Sequence, residues 1–140
     1  MSQLTNLFNA KCKDLELYPK DGQLRRFYDF CNNAIIGRKL IFREIGLGFN
    51  SAKILGQILR LNNFSYLDLK KNVLGNKGLK ELAKSISTNA SLIHVDIGSN
   101  DITYEGANSF FVGLRKHKTL SSISVANSDG LHRNRIGAKG

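Results

Sequence analysis

Two carboxylates of the chain, Asp68 and Asp96, recur in similar strings, "LDL" and "VDI". Paired carboxylates can act as general acid and base, or can hold a divalent cation. The other groups that carry such chemistry are scattered, and no pair of histidines or cysteines has the spacing of metal ligands. Repetition of a sequence unit places identical residues side by side without any chemical purpose. We therefore expect no catalytic residue, no metal site and no cofactor.

The repetition extends well beyond the two aspartates. Residues 64–91, "FSYLDLKKNVLGNKGLKELAKSISTNAS", align without a gap with residues 92–119, "LIHVDIGSNDITYEGANSFFVGLRKHKT". In each unit, alternating apolar and polar residues predict a short strand with one buried face. Apolar residues at helical spacing follow and predict an amphipathic helix. Each of these equally long units therefore predicts a strand, a turn and a helix.

Asparagine and glycine recur at fixed places in these units. Asn72 and Asn100 follow the strands, where an amide side chain can both donate to and accept from the backbone of a buried turn. Gly78 and Gly106 stand where each helix begins and are predicted to allow close backbone contact. The C-terminal string "NRIGAKG" repeats "NVLGNKG". The matching positions there are Asn134 and Gly140.

Two further copies are less regular. Residues 37–63 align with the next unit, but Ile45 stands at the asparagine position and Ser51 at the glycine position. A register with Asn50 at the asparagine position would leave too few residues for the helix. Residues 120–140 form an incomplete fourth copy, in which about six residues within "ANSDGLHR" are inserted after the strand. The alternative puts Ser128 at the asparagine position and makes "NRIGAKG" a loop.

The segment that precedes the repeats, residues 1–36, contains two stretches with apolar residues at helical spacing, the second of which runs from Leu24 to Ile35. These stretches predict two helices that cover the end of the repeats as an N-terminal helical cap. Cys12 and Cys31 fall on the apolar faces, which favours two buried thiols over a disulfide.

The pattern L-x-x-L-x-L-x-x-N-x-L, with a strand and a helix in each unit, resembles leucine-rich repeats. The period set by the units 64–91 and 92–119, with a full helix in each, resembles the ribonuclease-inhibitor-like subclass. The resemblance implies an α/β fold, a right-handed leucine-rich-repeat solenoid with parallel strands on the concave side and helices on the convex side. The cap would span residues 1–36 and the repeats residues 37–140.

The resemblance also implies a non-catalytic protein-interaction module or scaffold that binds a protein partner through the concave sheet and adjoining loops. Because some proteins of this subclass activate a small GTPase, the alternative function is that the chain regulates a small GTPase. The exposed strand positions fall into columns across the sheet, and Tyr66 is the best anchor candidate. The candidate partner-binding residues on the strands are Lys39, Arg43, Tyr66, Asp68, Lys70, His94, Asp96, Ser122 and Ser124. The insertion adds Asp129, His132 and Arg133.

Charge and hydropathy bound the partners and the location. The net charge of +10 is spread along the chain without five consecutive basic residues, which favours a solvated basic surface over nucleic-acid binding, the second alternative. No apolar run approaches the length of a membrane helix, and the N-terminus lacks the apolar core of a signal peptide. An intracellular location is expected, in the cytoplasm, with the cilium, the cytoskeleton and the nucleus as alternatives. Because the sequence stops at Gly140, we expect missing repeats, or another chain, to cover the C-terminal end.

Overall fold

The computed structural model describes residues 2–126 and 133–136. Helices α1 and α2 come first, followed by strands that alternate with helices. The helices are α1 (Ser2–Asp14), α2 (Asp21–Ala34), α3 (Phe49–Leu61), α4 (Gly75–Ser87) and α5 (Tyr104–Leu114). The strands are β1 (Ile35–Ile36), β2 (Lys39–Ile41), β3 (Tyr66–Asp68), β4 (His94–Asp96) and β5 (Ser122–Ser124).

The strands form one five-stranded sheet in sequence order. Strands β2 to β5 are parallel, and β1 pairs antiparallel with β2. The parallel register aligns Lys39, Tyr66, His94 and Ser122 in one row across the sheet. This pairing confirms the predicted offsets between the units and the choice of Ile45, rather than Asn50, at the asparagine position of the first unit.

One face of the sheet packs against the helices. The central residue of each parallel strand in the three complete units, Leu40, Leu67 and Val95, is fully buried. Helices α3 to α5 supply the facing side of this core, including the buried residues Leu82 and Phe110. Because side chains alternate along a strand, the residues on either side of each central one point to the opposite face, away from the helices.

The N-terminal helices close around the first unit. Helix α1 packs against α3, and α2 adjoins β1 and β2. Cys12 and Cys31 are both buried and form no disulfide, as predicted for structural thiols. Burial raises the pKa of the Cys31 thiol to about 12, so it stays protonated near neutral pH.

The sequence pattern placed Ile35 on the apolar face of the second helix, and this prediction was wrong. The helix ends at Ala34, and Ile35 lies in β1. The two adjacent isoleucines favour an extended backbone, and Gly37 follows with a φ of 59°, which permits the tight turn into β2. Separately, no helix among residues 2–126 and 133–136 is long and apolar enough to cross a membrane.

Candidate protein-binding surface

A row of side chains in mutual contact crosses the exposed face of the sheet. Lys39 places its ammonium 5.5 Å from the ring centroid of Tyr66. On the next strand, the imidazole of His94 stacks on Tyr66 with 4.7 Å between ring centroids. His94 Nδ1 in turn lies 2.8 Å from Ser122 Oγ. The structure therefore brings together four predicted positions as one connected row, which we name the aromatic row.

The two aspartates that repeat in the sequence have different surroundings. Asp68 is fully buried, so the prediction that it lies exposed on its strand was wrong. Its Oδ2 accepts a hydrogen bond from Arg43 Nε at 2.5 Å, and its Oδ1 accepts one from the Lys70 amide at 3.0 Å. Arg43 covers the carboxylate while its own side chain is 56% exposed. Asp96 is half-buried and accepts a hydrogen bond from the Gly98 amide at 2.9 Å.

The Arg43–Asp68 pair fixes a cation at the surface. The hydrogen bond and the charge of Asp68 raise the pKa of Arg43 further above its usual value. Asp68, which binds the guanidinium, lies in the same strand as Tyr66, so Arg43 is held close to the aromatic row. Lys70 lies half-buried just beyond the neighbouring strand, and Ser124 is half-buried on the fourth parallel strand.

The predicted turn asparagines form a buried ladder along one edge of the sheet. Asn72 Oδ1 accepts hydrogen bonds from the amides of Ile45 and Leu47, both at 3.1 Å. Its Nδ2 donates to the carbonyls of Phe42 and Leu69, both at 2.8 Å. Asn72 thus bonds to the turn of the preceding unit as well as to its own, and satisfies backbone groups that would otherwise be buried without partners.

Asn100 and Asn134 continue the ladder. Asn100 Nδ2 donates to the Leu69 carbonyl at 2.8 Å, and Asn134 Oδ1 accepts from the Asn100 amide at 2.8 Å. This confirms that Asn134 holds the asparagine position of the fourth copy. The insertion was therefore the correct alternative. Arg133 is exposed, whereas Asp129, His132 and Gly140 lie outside the described residues.

The two glycines at the helix starts have close neighbours, as predicted, but chiefly side chains. A Cβ at Gly106 would lie 2.0 Å from Asn76 Oδ1. A Cβ at Gly78 would lie 3.2 Å from the Cβ of Leu74 and 3.6 Å from the backbone of Gly48. The close contact at Gly106 is thus with an amide side chain rather than with the backbone.

Sequence reasoning missed Asp14, which caps the first repeat helix from outside the repeat. Its carboxylate accepts hydrogen bonds from the amides of Gly48, Asn50 and Ser51, and from the side chains of Asn50 and Ser51. Helix α3 needs this partner because its own N-cap residue, Gly48, has no side chain. The sequence held one signal for this cap, the serine at the glycine position, because its hydroxyl needs a hydrogen-bond acceptor nearby.

The aligned strands, the asparagine ladder and the repeated helices agree with a comparison against protein families. A family model described as "Leucine Rich repeat" matches residues 60–83 and 88–111. These two stretches of the chain have the sequence pattern of leucine-rich repeats. The two matches are separated by the same offset as the aligned units 64–91 and 92–119. No curated protein matches the chain.

Leucine-rich repeats generally mediate protein–protein interaction and are typically non-catalytic, and the arrangement of the sheet face suits that use. Within the described part of the chain, no group of three histidine, cysteine, aspartate or glutamate side chains could hold a metal ion. The buried carboxylate of Asp68 is already bound by Arg43. What these repeats offer is a fixed row of donors, an aromatic pair and cations on one face.

Proposed function

We propose that this protein binds a protein partner through the exposed face of its sheet, as a non-catalytic scaffold or adaptor. The observation that carries the proposal is the aromatic row, in which Tyr66 and His94 stack between Lys39 and Ser122. Tyrosine is enriched among the residues that dominate binding energy. A side chain that neighbours already hold in place loses little conformational entropy on binding, which favours affinity.

The scaffold behind this face supports the same function. The asparagine ladder fixes the turns at one edge of the sheet, and the helices fill the opposite face. We further infer a right-handed solenoid of the ribonuclease-inhibitor-like subclass, with α1 and α2 as its N-terminal cap. The period of the repeats and the packing of α1 on α3 support these two inferences.

We also infer an intracellular location for the protein. Its two cysteines are buried and unpaired, as is usual in a reducing compartment. Identification of the partner, rather than the fold, would indicate the organelle that contains the protein.

The test compares two double variants of the full chain in affinity purification with quantitative mass spectrometry. Tyr66→Ala with His94→Ala removes the centre of the aromatic row. Phe111→Ala with Lys116→Ala removes an exposed aromatic and an exposed cation elsewhere on the surface. We expect a partner enriched by the parent chain to be lost with the first variant and kept with the second. Equal retention by both variants would refute the proposed surface.

A further inference from the structure

The exposed sheet face has an uneven distribution of charge. Arg43 and Lys70 hold equivalent positions in the first two units, just beyond the strands, and Lys39 lies in the row beside them. In the next two units the positions equivalent to Arg43 and Lys70 are Gly98 and Ala126. A side chain at Gly98 would be blocked, because a Cβ there would lie 2.2 Å from the Ala126 carbonyl. Among the strand positions that the structure describes on this face, the cations therefore lie in the first two units.

These cations are largely unneutralised. Of Lys39, Arg43 and Lys70, only Arg43 forms an ion pair within residues 2–126 and 133–136. Its partner Asp68 is fully buried and cannot offer a carboxylate to the surface. We name the surface formed by Lys39, Arg43, Tyr66 and Lys70 the basic patch. Such a patch attracts anionic groups and raises the rate at which they arrive.

The surroundings of Tyr66 decide which anionic macromolecule the patch favours. Proteins that bind single-stranded nucleic acid offer aromatic ring faces on which bases stack. Here Lys39 lies over the Tyr66 ring from one neighbouring strand, and His94 stacks on it from the other. With both ring faces covered, Tyr66 has its ring edge and hydroxyl left to offer. A hydroxyl among ammonium and guanidinium donors suits carboxylates rather than bases.

We propose that the basic patch binds an acidic segment of the partner protein, a stretch rich in aspartate or glutamate. Its carboxylates meet Lys39, Lys70 and the exposed edge of Arg43, and the half of the face formed by His94, Asp96 and Ser122 receives a neutral part of the partner. This inference rests on the proposed function and adds the chemical class of the partner.

The experiment measures binding of a fluorescent peptide of alternating glutamate and serine to the full chain by anisotropy at low salt. The same peptide with glutamine for glutamate, and a single-stranded DNA of equal charge, are the comparison probes. The variant Lys39→Glu with Lys70→Glu reverses two cations of the patch. Lys80→Glu with Lys116→Glu makes the same change of net charge at exposed positions outside the sheet. Arg43 is left intact because it covers a buried carboxylate.

We expect the glutamate peptide to bind the parent chain and the patch variant to bind it at least about tenfold more weakly. The control variant should differ from the parent chain by less than about twofold, because its charges lie away from the patch. Equal weakening by both variants would show attraction by net charge alone and would overturn the proposal. Failure of the glutamate peptide to bind better than the glutamine peptide, or tighter binding of the DNA, would also overturn it.

The two proposals fail separately. If a cellular partner is lost with the Tyr66 and His94 substitutions but is still captured by the Lys39→Glu, Lys70→Glu variant, the sheet face binds protein and the acidic-segment inference is wrong. Thermal unfolding of the patch variant within a few degrees of the parent chain verifies that the reversed charges have not unfolded it. If the reversed charges do unfold the chain, the variant Lys39→Gln with Lys70→Gln repeats the binding test.

Discussion

In the second and third units the turn after the strand carries its own asparagine, Asn72 or Asn100, whereas the first unit carries Ile45 at that place. The backbone amides of the first turn still have hydrogen-bond partners, because Asn72 of the next unit accepts hydrogen bonds from Ile45 and Leu47. The helices differ in the same way. Helix α3 receives its cap from Asp14 of α1, whereas the Thr103 amide at the start of α5 bonds to Asn76 of the preceding repeat.

This difference shows how the stability of a repeat array is shared between neighbours. Each unit leaves polar backbone groups that it cannot satisfy alone, and the unit beside it supplies the partner. At the N-terminal side the partner is α1, which lacks the repeat sequence, and the carboxylate of Asp14 takes the place that the side-chain amide of Asn76 has at α5. The same comparison predicts which substitutions will damage one unit and which will damage two.

The largest effect is expected from Asn72→Ala. The change removes four hydrogen bonds, three to the first unit and one within the second, and leaves amides and carbonyls without partners in buried turns. We expect the free energy of unfolding, measured by urea denaturation, to fall by about 3–4 kcal/mol. Asn108→Ala, at an exposed helix position, is the matched control and should change it by less than about 0.5 kcal/mol. A similar loss of unfolding free energy from the two substitutions would contradict the stabilising role of the asparagine ladder.

The next effect is expected from Asp14→Ala, which affects the first unit alone. Without the carboxylate, the amides of Gly48, Asn50 and Ser51 at the start of α3 lose their acceptor. A lost cap of this kind costs about 2 kcal/mol. Hydrogen exchange should show faster opening of α3 than of α4. Asp29→Ala, at an exposed position of α2, should leave exchange unchanged. Uniformly faster exchange in both helices would refute the local role of Asp14.

Exchanging the residues at the glycine position sharpens the contrast. Ser51→Gly makes the first unit like the others, but loses the hydroxyl that donates to Asp14 and adds a flexible residue to α3. The cost should be about 1.5 kcal/mol. Gly106→Ser makes the third unit like the first, but its Cβ would meet Asn76 Oδ1 and displace the amide from Thr103. Urea denaturation should show both variants below the parent chain. A stabilised variant of either kind would mean that the two positions are interchangeable.

The sequence predicted those features that depend on repetition. The offset between strands followed from matched spacing, because a fixed period stacks equivalent residues. The place of Asn134 followed from the match of "NRIGAKG" to "NVLGNKG" despite the insertion before it. The burial of Asp68 could not be predicted that way, since Asp96 has the same place in its unit and remains half-exposed. Arg43 covers Asp68, whereas Lys70, in the same relation to Asp96, forms no ion pair in the described part of the chain. The planar guanidinium has a hydrogen-bonding geometry that an ammonium lacks.

The smallest effect is expected from Ile45→Asn, which also tests most directly whether stability depends on hydrogen bonds between neighbouring units. The substitution restores the repeat asparagine to the first unit, so a local account of stability predicts a gain. The structure predicts a loss of about 1 kcal/mol, because Ile45 packs against the apolar core. The strand before β2 is the antiparallel β1, so no parallel unit upstream supplies a turn for the new amide. Urea denaturation distinguishes the two outcomes, with Ile45→Val as the control for lost volume. A variant more stable than the parent chain would show that each asparagine acts within its own turn, and that bonding between units is incidental.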